Sequence, residues 1–261
     1  MKVDFRLPSE ILTEELHLHY RYTAAGQARP TILFLHGFSV DGTESHRMFL
    51  NVAAAYNTLG FTTVQFDYRG CGYSDGQFDD FTLSRAISDA RTVLAWARQQ
   101  TEVDASRIIV HGQSLGTAVA AAAFNDDHVI SGFVLWALSA NLHSRYTHIL
   151  NANNSDSEPI CIEGKGLYIK RAFLEDLRQY DVLDYFRDWR KPVLLLSPGA
   201  DDKGDPSLAD EAYERASPFA ERIIVQGANH SFKCQRALEQ EAITVSLQWI
   251  RNLLATRPEG G

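Results

Sequence analysis

Short runs of consecutive apolar residues alternate along the chain with longer stretches in which apolar positions recur every three or four residues. Thr31-Ile32-Leu33-Phe34-Leu35 offers no polar face and predicts a strand covered on both sides. Phe61 to Phe66, Arg107 to Val110, Val129 to Leu138, Pro192 to Leu196 and Arg222 to Val225 read the same way. Between them, helical spacing marks Glu44 to Leu59 (Met48, Val52, Ala55, Leu59, stopped by Gly60) and Leu83 to Gln99 (Ile87, Ala90, Val93, Leu94, Ala97). Leu115 to Phe124, Pro206 to Ala216 and Arg236 to Leu254 are the later helices. Glu15 to Tyr22 strictly alternates, which predicts an antiparallel strand near a sheet edge; His17 and His19 are then outward-facing residues and not metal ligands.

Strand–helix alternation of this kind implies right-handed crossovers, hence an α/β fold with a mostly parallel twisted sheet and helices on both faces. One segment breaks the rhythm. Ser139 to Arg190 contains no clear buried strand, a polar tract at Asn151 to Ser157 and a helical region from about Leu167 to Trp189. A loop of that length without structure does not fit a compact domain, so 139–190 is expected to be a small helical cap, with 1–138 and 191–261 as the core.

Composition narrows the function classes. Of 261 residues, 45% are hydrophobic and 22% charged, which supports a sizeable core. The formal charge is −8 and no Lys/Arg cluster exceeds two residues, so no nucleic-acid surface is expected. Cys71, Cys161 and Cys234 are too far apart, and odd in number, for a disulfide framework or a zinc site. Charges at Met1 to Arg6 occupy the place of a signal peptide's apolar stretch, and the longest apolar run, Ala118 to Phe124, is too short for a bilayer. A cytoplasmic protein with no membrane span is the expectation. The tail Thr256 to Gly261 is polar and expected to fray.

The chemistry concentrates at carboxyl ends of strands. Gly112-Gln113-Ser114-Leu115-Gly116 fits the G-x-S-x-G nucleophile elbow, with a strand running in and an Ala-rich helix running out. Gly112 and Gly116 keep that turn free of colliding side chains. A serine hydroxyl needs a neighbouring base, and among nine histidines only His230 lies beyond residue 148. It sits in Gly227-Ala228-Asn229-His230, after the strand that ends at Val225. The orienting carboxylate should come from the loop after Pro192 to Leu196, where Asp201, Asp202 and Asp205 compete and local physics does not choose. Oxyanion donors are expected at the backbone N–H of Leu115 and of Phe38, the latter after His36-Gly37. His36 itself reads as a structural loop residue. Trp136, Leu138, Tyr146, Tyr168 and Phe173 are candidates for an apolar acyl pocket.

Leu35-His36-Gly37-Phe38, the turn Asp67 to Gly76, the elbow at Ser114 and Gly227-Ala228-Asn229-His230 together resemble the α/β-hydrolase superfamily over nearly the whole chain. Within it the chain looks like the bacterial cinnamoyl (feruloyl) esterases and the related serine-aminopeptidase-like (S33-type) hydrolases. That resemblance places the acid three residues after Gly199, selecting Asp202, and implies a short oxyanion loop. The elbow departs from the cinnamoyl esterases, which commonly carry His and Gln where Gln113 and Leu115 stand. The implied activity is hydrolysis of small or aromatic acyl esters through a Ser-His-Asp triad, without metal or cofactor. A thioesterase or acyltransferase acting on carrier-bound acyl groups is the alternative, and a non-catalytic small-molecule-binding member the second; oligomeric state is left open.

Overall fold

The computed structural model describes residues 2–8, 15–22, 25–152, 158–162 and 164–256. Residues 153–157 of the polar tract and 257–261 of the tail lie outside the described residues. The chain runs through β1 (Lys2–Pro8), β2 (Glu15–Arg21), β3 (Arg29–Leu35), α1 (Met48–Thr58), β4 (Thr62–Phe66), α2 (Leu83–Ala97) and β5 (Val103–Gln113). It continues through α3 (Leu115–Phe124), β6 (Ile130–Trp136), α4 (Leu142–Ala152), β7 (Ile160–Ile162) and β8 (Leu167–Ile169). The remainder is α5 (Ala172–Leu177), α6 (Val182–Arg187), β9 (Val193–Pro198), α7 (Pro206–Ala216), β10 (Ala220–Val225) and α8 (Arg236–Ala255).

Eight strands form one sheet in the order β1-β2-β4-β3-β5-β6-β9-β10. All neighbours from β4 to β10 are parallel, while β2 pairs antiparallel with β4 and β1 antiparallel with β2. The continuous apolar runs have a direct cause: both faces of the central strands are buried. In β3, Leu33 and Leu35 join Val110, Leu135 and Leu195 in the cluster that α2 and α3 cover. Ile32 and Phe34 join Ile109, Val134, Trp136 and Leu196 in the cluster under α1 and α8. At the edge, β2 buries Leu16, Leu18 and Tyr20 and leaves His17 and His19 half-buried, as alternation requires. His17 Nδ1 lies 3.3 Å from Asp67 Oδ2.

Two elements differ from the sequence expectation. β1 was not anticipated, although Val3, Phe5 and Leu7 alternate with Lys2, Asp4 and Arg6. The helical stretch at 44–59 begins instead with a single tight turn, Ser45–Arg47, and the regular helix starts only at Met48. His46 and Arg47 take left-handed backbone angles (φ 44° and 67°), which interrupts the helix.

Segment 139–190 is more varied than a helical cap. It holds α4, the antiparallel β7–β8 hairpin, and two short helices where one longer helical region was expected. Its second half belongs to the main core. α6 packs on α3 and α7, and Phe173, Leu177, Val182, Phe186 and Trp189 are fully buried in the same cluster as Phe133 and Leu115. The Trp189 indole stands edge-on to Phe133 at 4.7 Å and stacks on Phe186 at 4.8 Å. Among the described residues no helix is long and apolar enough to cross a membrane.

This packing has a measurable consequence. Trp189→Ala should remove about 3–5 kcal/mol of global stability, the usual cost of deleting a fully buried large aromatic. Urea denaturation followed by circular dichroism should give a single transition shifted to lower midpoint; a separate early transition with an unmoved main one would mean that 139–190 folds independently of the core.

Candidate active site

The elbow begins where β5 ends. Ser114 sits at φ 51°, ψ −119°, a strained non-glycine conformation, and its N–H is held by Trp136 O at 3.0 Å. The first turn of α3 closes onto it: Thr117 N and Thr117 Oγ1 both donate to Ser114 O, at 2.9 and 2.6 Å. Such a sharp turn is sterically open only without side chains at its flanks. A Cβ on Gly116 would lie 1.9 Å from Leu35 O, and one on Gly112 2.6 Å from Gly116 O.

His230 reaches the serine from the loop after β10. Its Nε2 lies 2.8 Å from Ser114 Oγ, and its ring is 7% exposed. The loop is fixed from behind by Gln235, which accepts from Asn229 N at 2.7 Å and donates to Gly227 O at 2.8 Å. Phe232 anchors it in the core against Trp136. Gln113, the residue before the nucleophile, donates through Nε2 to His230 O at 2.9 Å, tying the elbow to the histidine loop.

The carboxylate that meets His230 is Asp201, not Asp202. Both Asp201 oxygens lie 2.9 Å from Nδ1. The pairing of β9 with β10 continues past Pro198, with Gly199 N on Val225 O and Ala200 N on Ala228 O, each at 2.8 Å. Asp201 is the first residue released from that pairing, and its side chain turns inward. Asp202 is carried to the surface, where its Oδ1 accepts the backbone N–H of His230 at 3.2 Å. Asp205 caps α7 by accepting from Ser207 N at 3.0 Å. Burial acts to raise the Asp201 pKa. The hydrogen bond and charge of His230, with the N–H groups of Lys203 and Gly204, outweigh it and hold the carboxyl below its ordinary value.

The loop after β3 is locked on both sides of Gly37. His36 Nε2 accepts from Tyr68 N at 3.2 Å, so its proton resides on Nδ1, which donates to Gly37 O at 2.8 Å. Burial keeps this ring below its ordinary pKa despite nearby Asp67 and Glu44. Gly37 N donates to Glu44 Oε2 at 2.7 Å, and Glu44 Oε1 accepts from Ser45 N at 3.0 Å. With Gly37 O committed to His36, the trans peptide directs the Phe38 N–H the opposite way. Neither that N–H nor Leu115 N–H, at the open first turn of α3, has an acceptor among the described residues. The Phe38 ring stacks on Phe173 at 5.0 Å and contacts Tyr146 at 4.7 Å, which fixes the loop.

A cavity of about 190 Å³ opens above Ser114, walled by Phe38, Val40, Tyr146 and Ile162 with Glu44 at its base. Of the five residues expected to line a pocket, Tyr146 does so. Phe173 stands behind Phe38 and Tyr146 as a fully buried support. Leu138 borders a small recess beside Asp201. The Trp136 indole points to the α8 face and donates to Ser246 Oγ at 3.0 Å, and Tyr168 is 52% exposed on β8. Glu44 was not singled out from sequence, and Gln113 only as a departure in the elbow, not for its bond to His230 O. A larger hollow of about 610 Å³ lies between α1 and α8, lined by His46, Phe232 and Glu239, and contains neither Ser114 nor His230. Among the described residues no group of three His, Cys, Asp or Glu could hold a metal ion.

Comparisons with known proteins accord with this fold. The profile of the serine aminopeptidase family, S33, matches residues 26–154. An uncharacterized protein of Mycobacterium tuberculosis is 26% identical over 213 residues, covering 82% of this chain and 66% of its own, so the chain spans about two thirds of that relative's length. An uncharacterized 31.7 kDa protein of Escherichia coli is 25% identical, covering 93% of this chain and 98% of its own. Among solved structures, Est1E of Butyrivibrio proteoclasticus with bound ferulic acid superposes with a TM-score of 0.75 at 16% identity, over 95% of this chain and 99% of the other.

Two substitutions separate the competing aspartates. Asp201→Asn should lower kcat by roughly 10⁴-fold, the scale known for loss of a histidine-orienting carboxylate, whereas Asp202→Asn should stay within a few-fold; ester turnover of the two purified proteins decides, and the reverse ranking would restore Asp202. Glu44→Ala should cost about 1–3 kcal/mol of stability by stranding the buried Gly37 N–H, read as a lowered urea midpoint.

Proposed function

We propose that the chain is a serine esterase of the α/β-hydrolase superfamily, with Ser114 as nucleophile, His230 as general base and Asp201 as the orienting carboxylate. The observation that carries this reading is the imidazole spanning Ser114 Oγ at 2.8 Å and Asp201 at 2.9 Å. Asp201, accepting at Nδ1, leaves Nε2 unprotonated and aimed at the hydroxyl. Ser114 Oγ attacks the substrate carbonyl carbon as its proton passes to Nε2. The tetrahedral oxyanion is received by the N–H groups of Leu115 and Phe38. Collapse expels the alcohol, which takes the proton from His230, and water then attacks the acyl-enzyme by the same route. Asp201 remains ionised throughout and stabilises the imidazolium.

The cavity sets the scale of the acyl group. A void of about 150 Å³ accommodates a benzene, so about 190 Å³ suits one ring or a short chain. Phe38, Tyr146 and Ile162 supply an apolar lining for it. Est1E, which holds ferulic acid, has the same fold and lends weight to an aromatic acyl group here. Within 139–190, α4 and the β7–β8 hairpin serve as the cap over Ser114, since Tyr146 and Ile162 come from them.

Treatment with a fluorophosphonate should label Ser114 and no other serine, as read by peptide mass spectrometry. On p-nitrophenyl esters of increasing length, kcat/KM should be highest for short and aromatic acyl groups and fall for long ones. Ser114→Ala should lose several orders of magnitude in rate. Folded protein that resists labelling would sink the reading.

A further inference from the structure

The cavity above Ser114 carries a charge opposite to that of the molecule. The chain has a formal charge of −8, yet Arg145, Lys165 and Lys203 line this cavity against one carboxylate, Glu44. Several cations elsewhere meet carboxylates: Arg69 pairs with Asp89, Lys170 with Asp80, Arg171 with Glu158 and Arg187 with Asp184. Others, such as Arg91 and Arg178, do not, so it is the gathering of three at one cavity that is distinctive. The three cations at the cavity form no ion pair among the described residues.

The nearby acids are engaged otherwise. Glu44 accepts from Gly37 N and Ser45 N, and Asp201 from His230, Lys203 N and Gly204 N. Asp202 and Asp205 border the adjoining open hollow with Arg145 and Lys203, but Asp202 accepts His230 N and Asp205 caps α7. Arg145 is the ordered member of the cationic set. Its Nη1 donates to buried Ser139 Oγ at 3.1 Å, and its guanidinium carbon lies 5.7 Å from the Tyr146 ring centre. The remaining guanidinium donors have no protein acceptor among the described residues and stand at the wall of the cavity.

We infer that the substrate is an anionic ester, bearing a carboxylate or phosphate that Arg145 binds with Lys165 and Lys203 beside it. This rests on the serine-esterase reading for the word ester, while the anion site stands on the charge distribution. In a cleft with low-dielectric walls, cations of one sign focus the field and raise the local concentration of an anionic ligand. Charge-assisted hydrogen bonds from a guanidinium then fix its orientation. A neutral ester offers these three cations no counter-charge.

Binding to Ser114→Ala, which cannot turn over, tests the site apart from the chemistry. Calorimetry should compare p-nitrophenyl hemisuccinate with p-nitrophenyl butyrate, placing the charge on the acyl side. It should also compare butyryl glycerol 3-phosphate with monobutyrin, placing the charge on the alcohol side. In at least one pair the anionic member should bind about tenfold tighter at low salt, and the advantage should shrink as ionic strength rises. It should fall toward unity when Arg145→Gln is added, and in part with Lys165→Gln and Lys203→Gln, exposed changes that leave the core untouched. Equal affinity within both pairs, or a preference that survives loss of all three cations, would overturn the inference. Fluorophosphonate labelling of the wild type in parallel separates the two readings: labelling without anion preference discards the anion site alone, and anion preference without labelling discards the esterase alone.

Discussion

The approach of Gly116 to the carbonyl of Leu35 is the constraint on which the site depends. A single Cβ would stand 1.9 Å from that oxygen, so only glycine lets the start of α3 settle against the end of β3. That contact brings the strained Ser114 turn beside the loop 36–38, which enters from a different strand. Without it the serine and the Phe38 peptide would not share a cavity. The strain at Ser114, with φ 51°, is held by four neighbours: Trp136 O, both donors of Thr117 and the flanking glycines. Its cost is distributed through the sheet and not borne by the turn alone.

Around that contact, rigidity is supplied by pairs of bonds that leave one group deliberately unmatched. Gly37 has its N–H on a buried carboxylate and its C=O on a buried imidazole, which leaves the next N–H, that of Phe38, turned away from both. The Phe38 side chain, clamped by Phe173 and Tyr146, prevents the loop from rotating to satisfy it. Segment 139–190 therefore has two jobs. Its second half completes the core through Phe186 and Trp189 and supplies Phe173 to the aromatic brace, and its first half supplies Tyr146 and the cavity wall.

Much of this was legible in the sequence, for identifiable reasons. Strands buried on both faces leave apolar runs, so β3, β5, β6 and β9 were plain, whereas β4 buries Thr62, Thr63 and Gln65 and was read from its place between helix and turn. Ser114 and His230 were legible because the elbow demands small flanking residues and because chain order left one histidine. The acid was not, since which of two adjacent aspartates turns inward depends on where β9–β10 pairing stops, a matter of register and not of residue type. Glu44 was equally hidden: its φ of 61° belongs to a conformation that glutamate rarely adopts, and no spacing encodes it. Trp136 could have been excluded as a lining residue by parity alone. It shares a strand face with Val134, which lies under α8, whereas Phe133 and Leu135 face the other way.

The amide of Gln113 couples the inheritance of two distant segments. Because Nε2 of Gln113 holds His230 O across 117 positions of chain, the residue preceding the nucleophile and the shape of the 227–232 turn form one unit. Replacing Gln113 leaves the His230 carbonyl without its donor, and a reshaped turn that moves this carbonyl leaves the Gln113 amide without its acceptor, each in a dry place. Lineages of this fold that carry a different residue ahead of the serine should then differ, in step, along the histidine turn, and grafting one half from a cousin without the other would import a mismatch.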